Sequence, residues 1–287
     1  MDRKPPLLPT DPELAGDFRL AGRLARFLFP KSSPACSWCC IEVSNRMAHG
    51  LGGDYFDFFT KADGRQVLLL GDVTGSGVHA SVVMALVYGF IHRAIQDDDP
   101  PGTIVNEVNN FLETFARRTQ LLDYYFSTTI FFGIIDPASL TMHYVNAAQG
   151  TPLVRRGDRL LRLPSTAPPI GFFANPELEM KSFRFAPGDR LLLYTDGITE
   201  TADRHGELFG RERLAQVLLA GHATASAFIA ALTAALDDFG APDPPEDDCT
   251  VIVVDFHHSG ASVEGDDPAA RFQAEGVAAP ADPVAEK

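Results

Sequence analysis

One stretch, residues 52–79, constrains the fold more than any other part of the sequence. It reads GGDYFDFF, KADGRQ and VLLLGDVTGSGVHA, so two short apolar runs, YFDFF and VLLLG, flank Asp63-Gly64. An Asp-Gly pair between apolar runs indicates a β-hairpin. Asp54 and Asp72 then lie at a sheet margin, among glycines that allow the backbone to approach a ligand closely. Carboxylates placed in this way suit a hard cation bound through oxygen.

The remaining apolar spacing predicts a chain of strands followed by helices. Helices are expected from a capping box at Thr10 to Pro30, over 78–96, from Thr103 onward and after Gly210. Strands are expected over 39–43, 127–135, 141–146, 152–155, 160–163, 180–185, 190–195 and 250–256. We expect the four strands from 127 to 163 to form an antiparallel meander. Grouped strands and grouped helices, rather than strict alternation, favour an α+β fold of two packed antiparallel sheets with helices outside.

Length and composition indicate one main domain with two flanking segments. The chain has 287 residues and is 45% hydrophobic, which is enough for a sizeable core. We expect residues 1–31 to be an N-terminal linker or helical segment and 32–258 to be the main domain. Residues 259–287 are rich in Ala, Gly, Pro, Asp and Glu, which predicts a disordered acidic tail.

Charge and hydropathy exclude two classes of partner. The net charge of −14 argues against nucleic acid, which is bound chiefly through Lys and Arg. No apolar run is long enough for a membrane span, and the first ten residues lack the apolar core of a signal peptide. We therefore expect a cytoplasmic protein.

The cysteines lack the spacing of a zinc site. Cys36 and Cys39 form a C-x-x-C pair, but no second pair completes four ligands. Cys39 and Cys40 open an apolar strand, in which cysteine is a small buried residue. A reducing compartment predicts that no disulfide forms.

Other hydrolase and nucleotide motifs are absent from the glycine-rich segment. GDVTGSG has no lysine where a phosphate-binding P-loop requires one. Its Gly75-Ser76-Gly77 lacks the G-x-S-x-G spacing of a serine nucleophile at a strand-to-helix turn.

Five stretches in order carry a family resemblance. They are residues 52–79, FSTTIFFGIIDPASLTMHYVN from Phe126, PPIG from Pro168, GDRLLLYTDGITETADRHGELFG from Gly188 and EDDCTVIVV from Glu246. Together they resemble the PPM (type 2C-like) metal-dependent protein phosphatases, in the SpoIIE/RsbU-like bacterial branch. A single GDxxGxG is weak support, whereas five ordered motifs are specific. The resemblance implies a four-layer α/β/β/α sandwich.

The resemblance also implies the metal ligands. Asp72 is expected to bridge two Mn²⁺ or Mg²⁺ ions, with Asp54 and the Val73 carbonyl serving one ion, and Asp196 and Asp247 holding the other. Each of these acids, taken alone, could equally be a turn or capping residue. Two further acids, Asp57 and Asp248, are expected to orient ligands or metal-bound water.

By resemblance, Asp54, Asp72, Asp196 and Asp247 serve a serine/threonine phosphatase in which a metal-bridging hydroxide attacks phosphorus in line. The expected substrate is a phosphorylated bacterial regulator such as an anti-sigma-factor antagonist. The N-terminal helix is expected either to carry an upstream signal or a homodimer contact, or simply to pack on its own domain.

Four positions depart from the family pattern. Ser76 stands where the branch has His, His79 where it has Pro, and Ala148-Gln149 where it has a small residue and His. None is a predicted metal ligand, so the metal site is retained, but leaving-group protonation and the phosphate clamp stay unassigned. Two alternatives remain open: an inactive module that sequesters a phosphorylated partner, and a metallohydrolase of small phosphoesters.

Overall fold

The computed structural model describes residues 12–34, 36–48, 50–119, 126–257 and 272–273. Its helices are α1 (Pro12–Arg26), α2 (Val78–Ala94), α3 (Pro101–Thr119), α4 (Asp196–Glu200), α5 (Gly210–Leu219) and α6 (Ala225–Phe239). Its strands are β1 (Cys39–Arg46), β2 (Asp54–Thr60), β3 (Gln66–Val73), β4 (Thr128–Asp136), β5 (Thr141–Ala147), β6 (Leu153–Arg156), β7 (Arg159–Arg162), β8 (Lys181–Arg184), β9 (Arg190–Tyr194), β10 (Cys249–Phe256) and β11 (Phe272–Gln273).

The predicted hairpin is confirmed. Strands β2 and β3 pair in antiparallel register with Asp54 directly opposite Asp72. The turn contains Gly64 at φ 87°, a conformation that favours glycine. The two acids therefore lie at the end of the hairpin away from its turn.

Two sheets form the centre of the molecule. One sheet has the order β2-β3-β4-β5-β8, and the other has the order β11-β1-β10-β9-β6-β7. Helices α2 and α3 pack on the first sheet, and α5 and α6 pack on the second. The predicted four-layer arrangement is confirmed, with one apolar core between the sheets and under α2 and α3, and another under α4, α5 and α6.

The prediction of a single antiparallel meander was wrong. Strands β4 and β5 pair in the first sheet, but the chain then crosses to the second sheet for β6 and β7. It returns for β8, which pairs with β5, and crosses again for β9, which pairs with β6 and β10. Short strands with similar apolar spacing do not indicate which sheet they join.

The N-terminal helix packs against the same domain. Helix α1 begins at Pro12 and ends at Arg26, whereas the proposed cap at Thr10 lies outside the described residues. After the helix, the ring of Phe29 stacks on that of Phe56 at a centroid distance of 4.8 Å. The Leu28 carbonyl accepts a hydrogen bond from the Tyr88 hydroxyl on α2. Within the described ranges no helix combines the length and apolarity that a membrane span requires.

The prediction that no disulfide forms was also wrong. Cys36 and Cys39 are joined, because the turn between them brings their Cα atoms to 5.6 Å, within the range that a disulfide bridges.

The predicted acidic tail lies largely outside the described residues. Its exception is β11, two residues that pair in parallel with β1 at Val43 and Ser44. The proposed domain boundaries at 31 and 258 stay predictions.

Candidate active site

The end of the β2-β3 hairpin places two carboxylates between the sheets. Asp54 is 1% exposed, and its Oδ2 accepts hydrogen bonds from the hydroxyls of Thr195, at 2.9 Å, and Thr250. These threonines lie next to Asp196 and shortly after Asp247, so Asp54 joins the first sheet to both acidic segments of the second. Asp72 lies opposite Asp54 and is half-buried.

Glycines 52 and 53 leave no space for side chains at this site. A Cβ at Gly53 would lie 2.5 Å from the Val73 carbonyl oxygen and 2.7 Å from Asp72 Oδ1. A Cβ at Gly52 would overlap the Asp248 carboxylate, at 1.6 Å from Oδ2. The glycines therefore let the backbone pack closely around oxygen atoms, as the sequence indicated.

Asp248 holds this loop in place. Its Oδ1 accepts from the Ala48 amide at 2.9 Å, and its Oδ2 lies 3.4 Å from the donating amide of Asp54. The side chain is buried. Asp248 thus positions the Asp54 backbone, and its role beside a metal site stays a prediction.

Asp196 and Asp247 approach the same region from the second sheet. Asp196 is the first residue of α4, directly after β9, and Asp247 lies two residues before β10. Both side chains are exposed at the rim. Gly197 brings α4 close to β10, since a Cβ there would lie 2.1 Å from the Asp248 carbonyl oxygen. The predicted ligands Asp54, Asp72, Val73, Asp196 and Asp247 are therefore brought into one region.

The carboxylates raise one another's pKa. Burial, and then the negative charges of Asp196, Asp247 and Asp248, raise the pKa of Asp72 to about 8.

The pKa values of two neighbours of Asp72 are raised as well. Burial and the charges of Asp72 and Asp248 raise the pKa of Asp54, against the effect of its threonine hydrogen bonds. Partial burial, then Glu200 and Asp247, raise the pKa of Asp196. Because the Asp196 side chain is exposed, water screens the charges that raise its pKa.

The donor set fits divalent cations bound through oxygen. None of the ion pairs in the described ranges involves Asp54, Asp72, Asp196 or Asp247, so crowded negative charge is left without a protein cation. Among the described residues no group of three or more His, Cys, Asp or Glu side chains is arranged so that it could hold a metal ion by itself. An open set is compatible with Mg²⁺, which keeps several waters and binds through one or two carboxylates.

Gln149, at a position that departs from the family pattern, connects β4 in the first sheet to β9 in the second. Its Oε1 accepts from the Thr129 hydroxyl at 2.5 Å, and Thr129 pairs with Asp72 in the sheet. Its Nε2 donates to the Tyr194 carbonyl at 3.2 Å, two residues before Asp196. Gln149 therefore bridges the sheets just behind the acids.

Asp57 does not belong to the site, contrary to expectation. It lies three residues along β2 from Asp54 and so points to the opposite face of the strand. There its Oδ2 accepts from the Tyr88 hydroxyl at 2.8 Å. His92 Nε2 lies 2.6 Å from the same oxygen, although not in hydrogen-bond geometry.

Sequence reasoning missed two threonines that hold Asp54. Thr195 and Thr250 are fully buried, and the Thr195 hydroxyl also accepts from the Thr250 amide at 3.0 Å. The available signal was their position beside predicted ligands, in YTDG and DDCT. A threonine close to a predicted ligand at a strand end could have been predicted to hydrogen-bond another ligand of the same site.

A family comparison agrees with this geometry. The model of the family described as Stage II sporulation protein E (SpoIIE) matches residues 62–257. Protein IcfG of Synechocystis sp. is 28% identical over 213 residues, which are 67% of this chain and 34% of IcfG. The phosphoserine phosphatase RsbP of Bacillus subtilis is 28% identical over 152 residues, or 52% of this chain and 37% of RsbP. The chain therefore spans about a third of the length of these curated relatives.

Solved structures share the fold. The PP2C domain of SiaA from Pseudomonas aeruginosa has a TM-score of 0.72 at 21% identity, covering 86% of this chain and 97% of that chain. The RsbU and RsbW domains of Rv1364c from Mycobacterium tuberculosis give a TM-score of 0.65 at 24% identity, covering 80% and 63%. The structure of RsbX in complex with magnesium has a TM-score of 0.58 at 13% identity, covering 78% of this chain and 98% of that chain. At these identities the likeness establishes the fold alone.

Proposed function

Because this chain belongs to the SpoIIE family, we propose that it is a metal-dependent serine/threonine protein phosphatase. Its substrate is a phosphoserine or phosphothreonine on a regulatory protein. The relative RsbP is named a phosphoserine phosphatase, which supports the reaction class. The Mycobacterium tuberculosis neighbour combines RsbU and RsbW domains, which supports a regulator such as an anti-sigma-factor antagonist as the substrate. A cytoplasmic location is part of this proposal, because such a regulator would be met there.

One observation carries this proposal: Asp72 lies among other carboxylates without a cationic partner. Burial and three neighbouring acids raise its pKa to about 8, so its ionised form requires positive charge that the described residues do not supply. A divalent cation is the simplest source of that charge. The magnesium complex of RsbX, which has the same fold, supports Mg²⁺ or Mn²⁺ as the ion.

Each acid has a separate part in the proposed site. Asp72 would hold both ions, the Val73 carbonyl and Asp54 would complete one side, and Asp196 and Asp247 would complete the other. When bound, two divalent ions activate a water as nucleophile and offset the charge of the phosphoryl group during in-line displacement.

The remaining site residues keep these ligands in position. Thr195 orients Asp54 by donating to its Oδ2 at 2.9 Å, and Asp248 fixes the Asp54 backbone. Asp54 can then present Oδ1, which makes no hydrogen bond with the described residues, toward an ion. Such fixed carboxylates position ions without forming a covalent intermediate.

The test is phosphate release from a phosphoserine protein with and without Mn²⁺. We expect release to depend on the metal and Asp72→Asn to reduce it by at least about a hundredfold, because the bridging charge is lost. Asp237→Asn removes an exposed carboxylate on α6 and is the matched control, with unchanged release expected.

Three outcomes separate the candidate functions. Full activity in the folded Asp72→Asn variant would contradict the metal assignment. Metal binding without release from any substrate would favour a module that sequesters phosphorylated proteins. Faster turnover of p-nitrophenyl phosphate than of the phosphoprotein would favour a small-phosphoester hydrolase.

A further inference from the structure

A cavity lies beside the acidic site, on the outer side of Asp196. Its volume is about 190 Å³, and it opens between α4 and the start of α5. Tyr194, Asp196 and Glu200 line one part, and Leu208 and Arg211 line another. A substrate bound at Asp196 would therefore extend over this cavity.

Two arginines place positive charge next to this cavity. Arg211 is exposed in the first turn of α5, and Arg162 is exposed at the end of β7. Arg162 pairs in register with Leu153, whose side chain packs in the core under α5, so Arg162 lies on the same face as that helix. Strand β7 also packs against α5, so Arg162 lies on the strand next to the helix that carries Arg211.

Neither arginine is neutralised by the protein. Arg156, Arg190 and Arg213 form ion pairs with acids. Within the described ranges, by contrast, Arg162 and Arg211 form none. In a chain of net charge −14, two unpaired guanidinium groups beside one cavity are a local site for an anion.

Tyr194 adds a polar group to the wall of this cavity. Its hydroxyl makes no hydrogen bond to any part of the chain that the structure describes, and it is not among the buried side-chain atoms that lack a partner. The hydroxyl is therefore open to solvent and can bind a group in the cavity.

We propose that Arg162, Arg211 and Tyr194 form a subsite for a carboxylate side chain of the protein substrate, adjacent to its phosphorylated residue. This inference rests on the proposed phosphatase function. Glu200, on the other part of the cavity, repels a second acid and so restricts the carboxylate to the arginine side. The exposed Leu208 offers an apolar contact to the same substrate segment. The subsite selects proteins with an acidic residue near the phosphoserine.

The experiment compares two phosphoserine peptides that differ only in flanking residues, Asp and Glu in one and Asn and Gln in the other. p-Nitrophenyl phosphate, which has no flanking group, is the reference substrate for each variant. For the unmodified chain we expect kcat/KM to favour the acidic peptide by about tenfold, mainly through KM. In Arg162→Ala/Arg211→Ala we expect this preference, relative to the reference substrate, to fall to about one.

The control is Arg159→Ala, which removes an exposed arginine from the other end and the other face of β7. We expect it to retain the preference. A preference that survives in the double variant, or a parallel loss with both peptides and p-nitrophenyl phosphate, would overturn the subsite.

Binding to the Asp72→Asn variant, measured by fluorescence anisotropy, separates the subsite from the reaction. If the unmodified chain hydrolyses none of the substrates, the phosphatase proposal fails. Tighter binding of the acidic peptide, lost in the variant that also carries both arginine substitutions, would still support the subsite. Equal binding of the two peptides would overturn it.

Discussion

At Ala148 the backbone is left-handed, with φ 58°, a conformation in which an L-residue other than glycine is strained. The cost of such a residue is about 1 kcal/mol. The strain lies at the end of β5, immediately before Gln149, whose amide connects Thr129 to the Tyr194 carbonyl. The tight turn at Ala148 is therefore what directs the Gln149 side chain between the sheets.

Ala148→Gly should stabilise the protein by about 0.5 to 1 kcal/mol, after allowance for the greater freedom of glycine in the unfolded chain. Urea denaturation followed by tryptophan fluorescence measures the change. Ala147→Gly is the control, because Ala147 is fully buried in β5 at an ordinary φ and should lose about 1 kcal/mol. A loss of stability in both variants would contradict the strain argument.

Elements show which interactions the apolar pattern could predict and which it could not. The helix at Pro12–Arg26 follows from spacing alone, and its apolar residues Phe18 and Ala25 pack against the core of the domain. The spacing does not predict the close backbone contact at Gly22, where a Cβ would lie 2.5 Å from the Gly50 carbonyl oxygen. The close approach favours the interpretation that α1 packs on its own domain.

Gly22→Ala should therefore release α1 from the domain. We expect trypsin to cleave at Arg19, Arg23 and Arg26 at least about tenfold faster, because local opening becomes more frequent. Gly16→Ala is the matched control on the same helix, where the nearest atom to the added Cβ is an Arg19 nitrogen at 3.9 Å. It should leave cleavage unchanged or slow it, since alanine favours the helix by about 1 kcal/mol. Equal cleavage of the two variants would show that α1 docks in another way.

Short and exposed elements set the limit of sequence reasoning. The pattern predicted β2, β3 and the long helices because each has several apolar residues on one face. Helix α4 has only five residues, DGITE, and local spacing does not distinguish so short a helix from a turn. Only the family resemblance indicated that it brings Asp196 to the site. Between β5 and β8, which pair in one sheet, the chain crosses to the other sheet to form β6 and β7. This crossing depends on contacts far apart in sequence, which local spacing does not encode.

On the scale of the whole molecule, the acidic site opposes folding when no cation is bound. The folded pKa of Asp72 is about 8 against an ordinary 3.8, so the folded state binds this proton more tightly than the unfolded state. Proton binding by Asp72 therefore stabilises the folded state fully below about pH 4, and this stabilisation is lost as pH rises through about 8. Asp54 and Asp248 shift in the same direction, chiefly through burial.

The metal-free protein should therefore have a higher Tm at about pH 6 than at about pH 9. Mg²⁺ should raise Tm at both values and more at about pH 9, where protons no longer compete for the carboxylates. Scanning calorimetry with EDTA or with excess Mg²⁺ measures both effects. Asp72→Asn removes the repelled charge, so its metal-free form should exceed the unmodified protein in Tm at the higher pH and gain less from Mg²⁺. A metal-free Tm that instead rises toward pH 9 would mean that these carboxylates do not repel one another in the folded protein, and the argument for a cation at Asp72 would fail with it.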